Sequence, residues 1–351
     1  MCKFKIKSKS KNYYVFFSNN LISSLKLNLH KNDFIIADKK ILQYLNNLRF
    51  ISTNNIISIT ANEKTKDYRI IGNIISKLIN GKFSKKNKLI VIGGGITQDI
   101  GSFISHIIFR GVDWIYIPTT LLSQADSCIG SKISINFNNY KNLLGNYNPP
   151  NKIFINTNFL NSLNKKDIYS GIGEMLHYFL ISSKKDYSFF KKNIKSFIKS
   201  KKSLLETTIK KCLKIKQKFI EKDEFDKGIR IYLNYGHTFG HALESYTKYK
   251  IPHGIAVCHG INISNYISFK LNLLSKTDYD DIYKTVKIIT KNYPLNKINV
   301  KKFCQIILKD KKTINGVPRF IFLKKPGLPI LKSIKLNKTF ENYLSSYFIN
   351  Q

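Results

Sequence analysis

The chain has 351 residues, 43% of them hydrophobic and 13% aromatic, which is material for a large core over one or two domains and excludes a disordered linker. No apolar run approaches the roughly 20 residues that a membrane-spanning helix needs, and no small-residue cleavage site follows the basic start MCKFKIKSKSKNYYVFF, so the expectation is a cytoplasmic protein with no membrane partner. Lys and Arg number 59 against 21 Asp and Glu, a net charge of +38. The excess is nearly all lysine, spread along the chain beside abundant Asn and Ile, which reads as codon drift in an AT-rich genome rather than a nucleic-acid partner. What survives is a positive field able to steer a small phosphorylated or carboxylated anion.

The first half alternates short apolar strands with helix-length segments. DFIIAD ending at Asp38, NIISITA ending at Ala61, Lys88–Gly95 (KLIVIGGG), Asp113–Thr120 (DWIYIPTT) and Lys152–Thr157 (KIFINT) read as strands, with a helix from Asp67 to Ile79. This order predicts a doubly wound, mostly parallel α/β sheet over residues 1–158. From Phe159 onward long helical patterns dominate: Asp167–Ser182, Asp186–Glu221, Tyr232–Tyr246 and Gly254–Leu271. Residues 159–351 therefore read as an all-α domain, and the Lys-rich stretch Lys184–Lys218 as a solvated helix face.

Five scattered cysteines without a CxxC pair argue against a disulfide framework and a cysteine zinc site. Histidine is more informative, because His177, His237, His241, His253 and His259 gather in one stretch. Glu174 and His177 are three apart on an expected helix and His237 and His241 four apart, so each pair shares a face. A carboxylate with imidazoles from separate segments is the donor set of a catalytic Zn²⁺ with an open position, whereas a lone helical His is more often a core residue. The strand running into Gly93, Gly94 and Gly95 suits either close approach of a pyrophosphate at a helix N-terminus or a plain tight turn. Asp38 suits a ribose or a helix cap; Asp126, Lys132, Lys141 and Asn142 suit an anion or ordinary turn chemistry. Lys216, Arg230 and Asn234 are either an acidic-ligand set or surface charge.

Taken in order, GGG-x-x-x-D, R-G-x-x-W-I-x-x-P-T-T-L-L-x-Q-x-D-S-x-x-G-x-K, K-N-L-L-G, G-E-M, L-N-x-G-H-T-F-G-H-A-x-E and H-G-x-A-V resemble the 3-dehydroquinate synthase family of sugar phosphate cyclases, from about Asp38 to Lys312. The resemblance implies an N-terminal NAD-binding α/β domain and a C-terminal helical metal-binding domain. It puts the Zn²⁺ or Co²⁺ ligands on Glu174, His237 and His253, with His241 as an active-site residue that does not bind the metal. It draws the NAD site from Asp38, Glu63, Lys66, Gly94, Gly95, Asp99, Thr119, Thr120, Phe159 and Ser162. The catalytic and substrate-binding set is Asp126, Lys132, Lys141, Asn142, His177, Lys216, Arg230, Asn234, Lys311 and Lys312. The implied reaction converts 3-deoxy-arabino-heptulosonate 7-phosphate to 3-dehydroquinate and phosphate by transient oxidation with NAD, phosphate elimination, re-reduction and intramolecular aldol closure. A homodimer is the implied assembly.

Four positions in three segments depart from the family pattern. Ser131 and Ile133 stand in a segment that is usually Gly-Gly-Lys-Thr, His177 replaces a lysine, and Ile255 replaces the glutamate after His-Gly. His177 changes a pocket-facing position and adds a candidate metal ligand. The alternatives are a related cyclase acting on another heptulose phosphate in surface-polysaccharide or aminocyclitol synthesis, and a metal-dependent alcohol dehydrogenase. Retention of Arg230 and Asn234 favours a carboxylate-bearing substrate.

Overall fold

The computed structural model describes residues 2–18, 20–26, 28–45, 52–138, 140–199, 201–295, 297–309 and 316–349. The chain forms two compact units, Met1–Leu163 with Gln217–Phe225, and Asn164–Lys216 with Asp226–Gln351.

The first unit carries strands β1 (Cys2–Ile6), β2 (Tyr13–Phe17), β3 (Phe34–Asp38), β4 (Ile56–Ile59), β5 (Leu89–Gly93), β6 (Trp114–Pro118), β7 (Lys132–Phe137), β8 (Tyr140–Tyr147) and β9 (Lys152–Ile155), with helices α1 (Leu21–Lys26), α2 (Tyr68–Asn80) and α3 (Gly95–Ile107). Among the described residues, seven strands form one sheet in the order β1-β2-β9-β6-β5-β3-β4. All its pairings are parallel except β1 with β2. The runs LIVIG and WIYIP are buried throughout, as central strands covered on both faces must be. Ile35, Ile90, Ile92, Ile115, Ile117 and Phe154 build the core on one side of the sheet. The chain grows outward from β3 to β4, then steps back across β3 to β5. Gly93 at the end of β5 thus stands at the switch point where open α/β sheets take ligands.

The five strands and the α2 helix expected from sequence are present, with Asp67 as the α2 N-cap. The loop-like stretch after Gly130 is instead a two-stranded antiparallel sheet of β7 and β8. Its polar, glycine-containing second strand, YKNLLGNY, is mostly exposed and lacks the alternation that marks a half-buried strand.

The second unit contains α4 (Lys165–Ser182), α5 (Lys184–Ile198), most of α6 (Lys202–Ile220), α7 (His237–Tyr246), α8 (His253–Lys270), α9 (Lys276–Thr290), α10 (Val300–Leu308), strands β10 (Arg319–Lys325) and β11 (Leu328–Ser333), and α11 (Lys338–Ile349). It is helical, and the antiparallel hairpin β10–β11 is an element that the all-α expectation lacked. The single helix expected over Asp186–Glu221 is two, because the segment KSKKS at 199–203 offers no apolar side chain to continue the stripe. The helix expected from Tyr232 starts at His237, after a 3₁₀ turn at Ile229–Asn234 and a left-handed Gly236 at φ 79°. Residues 254–268 of α8 are all buried, which makes α8 the central helix of this unit.

Close backbone contact sets the positions of α4, α7 and α8. A methyl group added at Gly254 would lie 1.8 Å from Ser170 O, and one at Gly260 would lie 2.0 Å from Gly236 O. The Ser170 hydroxyl accepts the Gly254 N–H at 3.0 Å, tying the first turn of α8 to α4.

Candidate functional site

Three segments of the second unit bring their donors together. Glu174 lies mid-way along α4, while His237 and His253 are the first residues of α7 and α8. Glu174 Oε1 stands 3.4 Å from His237 Nε2, and Glu174 Oε2 stands 3.3 Å from His253 Nε2. These separations are long for charge-assisted hydrogen bonds, which run at about 2.7–2.9 Å. They match the roughly 3.4 Å between two ligands that each sit about 2.0–2.1 Å from a tetrahedral ion. Both imidazoles are anchored through Nδ1, His237 at 3.2 Å from Tyr235 O and His253 at 3.2 Å from Glu244 Oε2, which leaves Nε2 of each for an ion. Burial opposes ionisation of Glu174, yet the facing His237 and His177 hold its carboxyl well below the usual range. Desolvation likewise opposes a proton on His253, while Glu174 and Glu244 push its pKa well above the ordinary value. A divalent cation answers this concentration of buried donors, and a carboxylate with two imidazoles is the set that leaves a coordination position open.

His177 is buried on α4 one turn beyond Glu174, with Nδ1 3.5 Å from Glu174 Oε1 and its ring 5.2 Å from that of His237. His241, one turn along α7, has its ring 5.5 Å from His237 and 5.7 Å from His253. Arg230, in the 3₁₀ turn, and Lys216 are buried, 4% and 6% exposed, which overturns the surface-charge alternative for both. Asn234 ends the same turn, its amide donating to Ile231 O at 3.0 Å. Lys311 and Lys312 lie outside the described residues.

In the first unit, β5 ends at Gly93 and α3 starts at Gly95, with Gly94 as an N-cap that has no side chain to occupy the first-turn amides. A methyl group at Gly93 would lie 2.4 Å from Thr97 Oγ1, so only glycine lets strand turn into helix here. Thr119 donates its N–H to Gly93 O at 3.0 Å, and the Thr120 hydroxyl pairs with Ser123 at 2.9 Å. Lys66 is buried between Asp99 Oδ2 and Asn142 Oδ1, 2.5 Å from each. Burial opposes ionisation of Glu63, but its hydrogen bond from Asn136 at 3.0 Å and the nearby Lys141 and Lys66 keep its carboxyl below the usual value. Asn136 joins the cluster further by accepting the Asn142 N–H at 3.0 Å. Glu63, Lys66, Asp99, Lys141 and Asn142 thus form one polar network, for which the sequence reading missed the linking Asn136.

Asp38, at the end of β3, accepts the Lys40 N–H at 3.1 Å and so acts as a local cap. Phe159 packs into the sheet core, leaving only its backbone for a ligand, while Ser162 is exposed and bonds Phe159 O. Asp126 is half-buried in the turn Ser123–Ser127, and Lys132 opens β7 with its side chain exposed. Ser131 holds a left-handed φ of 63°, where a glycine would be unstrained, and its hydroxyl donates to Glu224 Oε1 at 3.1 Å. That hydrogen bond offsets the backbone strain of the serine.

Residues 56–170 match the model of the 3-dehydroquinate synthase N-terminal domain, and residues 171–313 that of the C-terminal domain. The chain belongs to the 3-dehydroquinate synthase family. Curated relatives within the family include the 3-dehydroquinate synthase of Pelagibacter ubique, 34% identical over 98% of each chain. That of Buchnera aphidicola is 36% identical over 92% of this chain and 90% of its own. The fold is shared with 2-deoxy-scyllo-inosose synthase, solved with carbaglucose-6-phosphate, NAD⁺ and Co²⁺, at a TM-score of 0.87 and 22% identity over 99% of each chain. Since the family fold serves cyclases of different substrates, the site residues must decide specificity. Glu244, the last residue of the L-N-x-G-H-T-F-G-H-A-x-E motif, has no role assigned from sequence; the structure places its carboxylate 3.2 Å from His253 Nδ1.

Proposed function

We propose that this protein is a 3-dehydroquinate synthase, converting 3-deoxy-arabino-heptulosonate 7-phosphate to 3-dehydroquinate and phosphate with bound NAD⁺ and a divalent ion, Zn²⁺ or Co²⁺. One observation carries the reading: a Glu174–His237–His253 donor set at ligand spacing in a chain 34–36% identical to curated 3-dehydroquinate synthases over more than nine-tenths of its length. When bound, NAD⁺ and the ion supply a transient oxidation of a ring hydroxyl, return of the hydride and polarisation of oxygen.

The chain's own residues supply recognition and proton management. Glu174, His237 and His253 would hold the ion, and Glu174 and His237 are buried. Arg230 offers a planar fork that suits the substrate carboxylate in a bidentate pair, and burial strengthens that pairing. Lys132 suits a phosphate as a compact charge, and the buried Lys216, like Arg230, suits an acidic substrate group. His241 stands beside the two ligand histidines, where it can exchange a proton with the substrate without joining the metal set. The Gly94–Gly95 start of α3 suits a pyrophosphate, and the Glu63–Lys66–Asp99 network suits the polar parts of a nucleotide.

A step in the shikimate pathway, a cytoplasmic location and a homodimer belong to the same reading, which the family relationship supports. Among the described residues no helix is long and apolar enough to cross a membrane. A phosphate-release assay with a panel of heptulosonate and heptulose phosphates tests the substrate. The heptulosonate phosphate is expected to be preferred, with 3-dehydroquinate as the product by mass spectrometry. Preference for a carboxylate-free sugar would instead make the protein a cyclase of different specificity, with His177 marking the change.

A further inference from the structure

We propose that Glu244 is a positioning residue for the divalent ion, its carboxylate fixing the tautomer and orientation of His253 so that Nε2 faces Glu174. The inference rests on the metal reading above. Glu244 Oε2 lies 3.2 Å from His253 Nδ1, and the opposite nitrogen of the same ring lies 3.3 Å from Glu174 Oε2. A neutral imidazole carries a single N–H. With that N–H donated to Glu244, the lone pair on Nε2 is directed at the ion; in the other tautomer an N–H would point there instead. A carboxylate in this place also makes the ligand nitrogen more basic.

Packing alone does not hold the His253 ring. Its side chain is 33% exposed, against 11% for His237, whose Nδ1 is anchored on a backbone carbonyl. The Glu244 side chain is 14% exposed and reaches His253 from α7, so the hydrogen bond bridges the last turns of one helix and the start of the next. The donor atoms of His241, Glu244 and His253 all lie within 4.8 Å of one another, which puts the carboxylate beside both the ligand histidine and the proposed proton-exchanging one.

The test is metal affinity, measured on the metal-free full-length protein by chelator competition with Co²⁺ and Zn²⁺, for wild type, Glu244→Gln and Glu244→Ala. Glu244→Gln is close to isosteric, and the thermal midpoint of each metal-free protein reports folding separately. Removing such an outer partner typically weakens binding about 10–100-fold. The expected order is therefore wild type tightest, Gln about tenfold weaker, and Ala weaker again, with an altered Co²⁺ visible spectrum and an unchanged metal-free midpoint. If both variants bind within twofold of wild type, Glu244 has no positioning role and the metal reading stands. If wild type binds neither ion, both inferences fall.

Discussion

The first turn of α8 rests on α4 with no space for a side chain, and His253, a proposed ligand, is the residue before Gly254. In Gly254→Ala the new methyl would lie 1.8 Å from Ser170 O and 2.7 Å from Ser170 C, both rigid backbone atoms. Restoring an ordinary contact near 3.4 Å requires α8 to retreat by about 1.5 Å, since packed interiors have no slack to absorb the overlap. The 3.3 Å between His253 Nε2 and Glu174 Oε2 would then open to nearly 5 Å. Two ligands of one tetrahedral ion stand only about 3.4 Å apart, so the set would be broken. Overpacking costs about 1–3 kcal/mol, and a clash with backbone belongs at the upper end of that range. Gly72→Ala is the matched control, exposed on α2 with nothing within 4 Å of the added methyl, and should gain about 0.5–1 kcal/mol. Urea midpoints of the metal-free proteins and chelator-competition affinities give the comparison. Gly254→Ala should lower the midpoint and weaken metal binding at least 100-fold, while Gly72→Ala raises the midpoint and leaves affinity alone. A Gly254→Ala protein as stable and as tight for metal as wild type would refute the claim that this contact sets the donor geometry.

Two further outcomes follow from buried cationic and imidazole groups. Arg230→Ala should lower kcat/KM for the heptulosonate phosphate by about 2–5 kcal/mol, roughly 30-fold to several thousand-fold, and hardly touch a heptulose phosphate without the carboxylate. Equal loss on both substrates would show that Arg230 does not read the carboxylate. His259 is buried, with Nε2 2.8 Å from Tyr293 O, and burial lowers its pKa to about 4. The unfolded imidazole takes a proton near pH 6.5 and the folded one only near 4, so stability is full above pH 6.5 and falls as pH drops through that window. The loss between pH 7 and 4.5 should be about 2 kcal/mol and be absent from His259→Gln, as read from urea midpoints at the two pH values; a parallel loss in the variant would assign the acid sensitivity to other groups.

The central sheet was legible in the sequence because FIIA, LIVI and WIYI are buried on both faces, and a continuous apolar run bounded by turn residues can serve little else. The histidine motifs were legible because Glu174, His237 and His253 carry chemistry at a fixed order in the chain. The β7–β8 pair was not, since Asn138 and Asn142 take positive φ and no residue of β8 is fully buried, although Ile133, Ile135 and Asn136 of β7 are. The hairpin β10–β11 closes on α8 and is stabilised by tertiary contact, with Ser268 donating to Leu323 O at 2.6 Å, a partner no local pattern announces. The contact between Glu244 and His253 escaped for the same reason: it depends on α7 meeting the start of α8, nine residues away in sequence. The burial of Lys216 and Arg230 depends likewise on tertiary packing, which is why their sequence looked like ordinary surface charge.

The central claim is most directly tested by recording phosphate release and NADH together in one reaction, with purified protein, 3-deoxy-arabino-heptulosonate 7-phosphate, NAD⁺ and Zn²⁺ or Co²⁺. A 3-dehydroquinate synthase restores its nicotinamide within each turnover. Phosphate should therefore accumulate continuously with no net NADH, stop on chelation and resume when the ion is returned. NADH accumulating in step with turnover, or phosphate release indifferent to chelator, would contradict it.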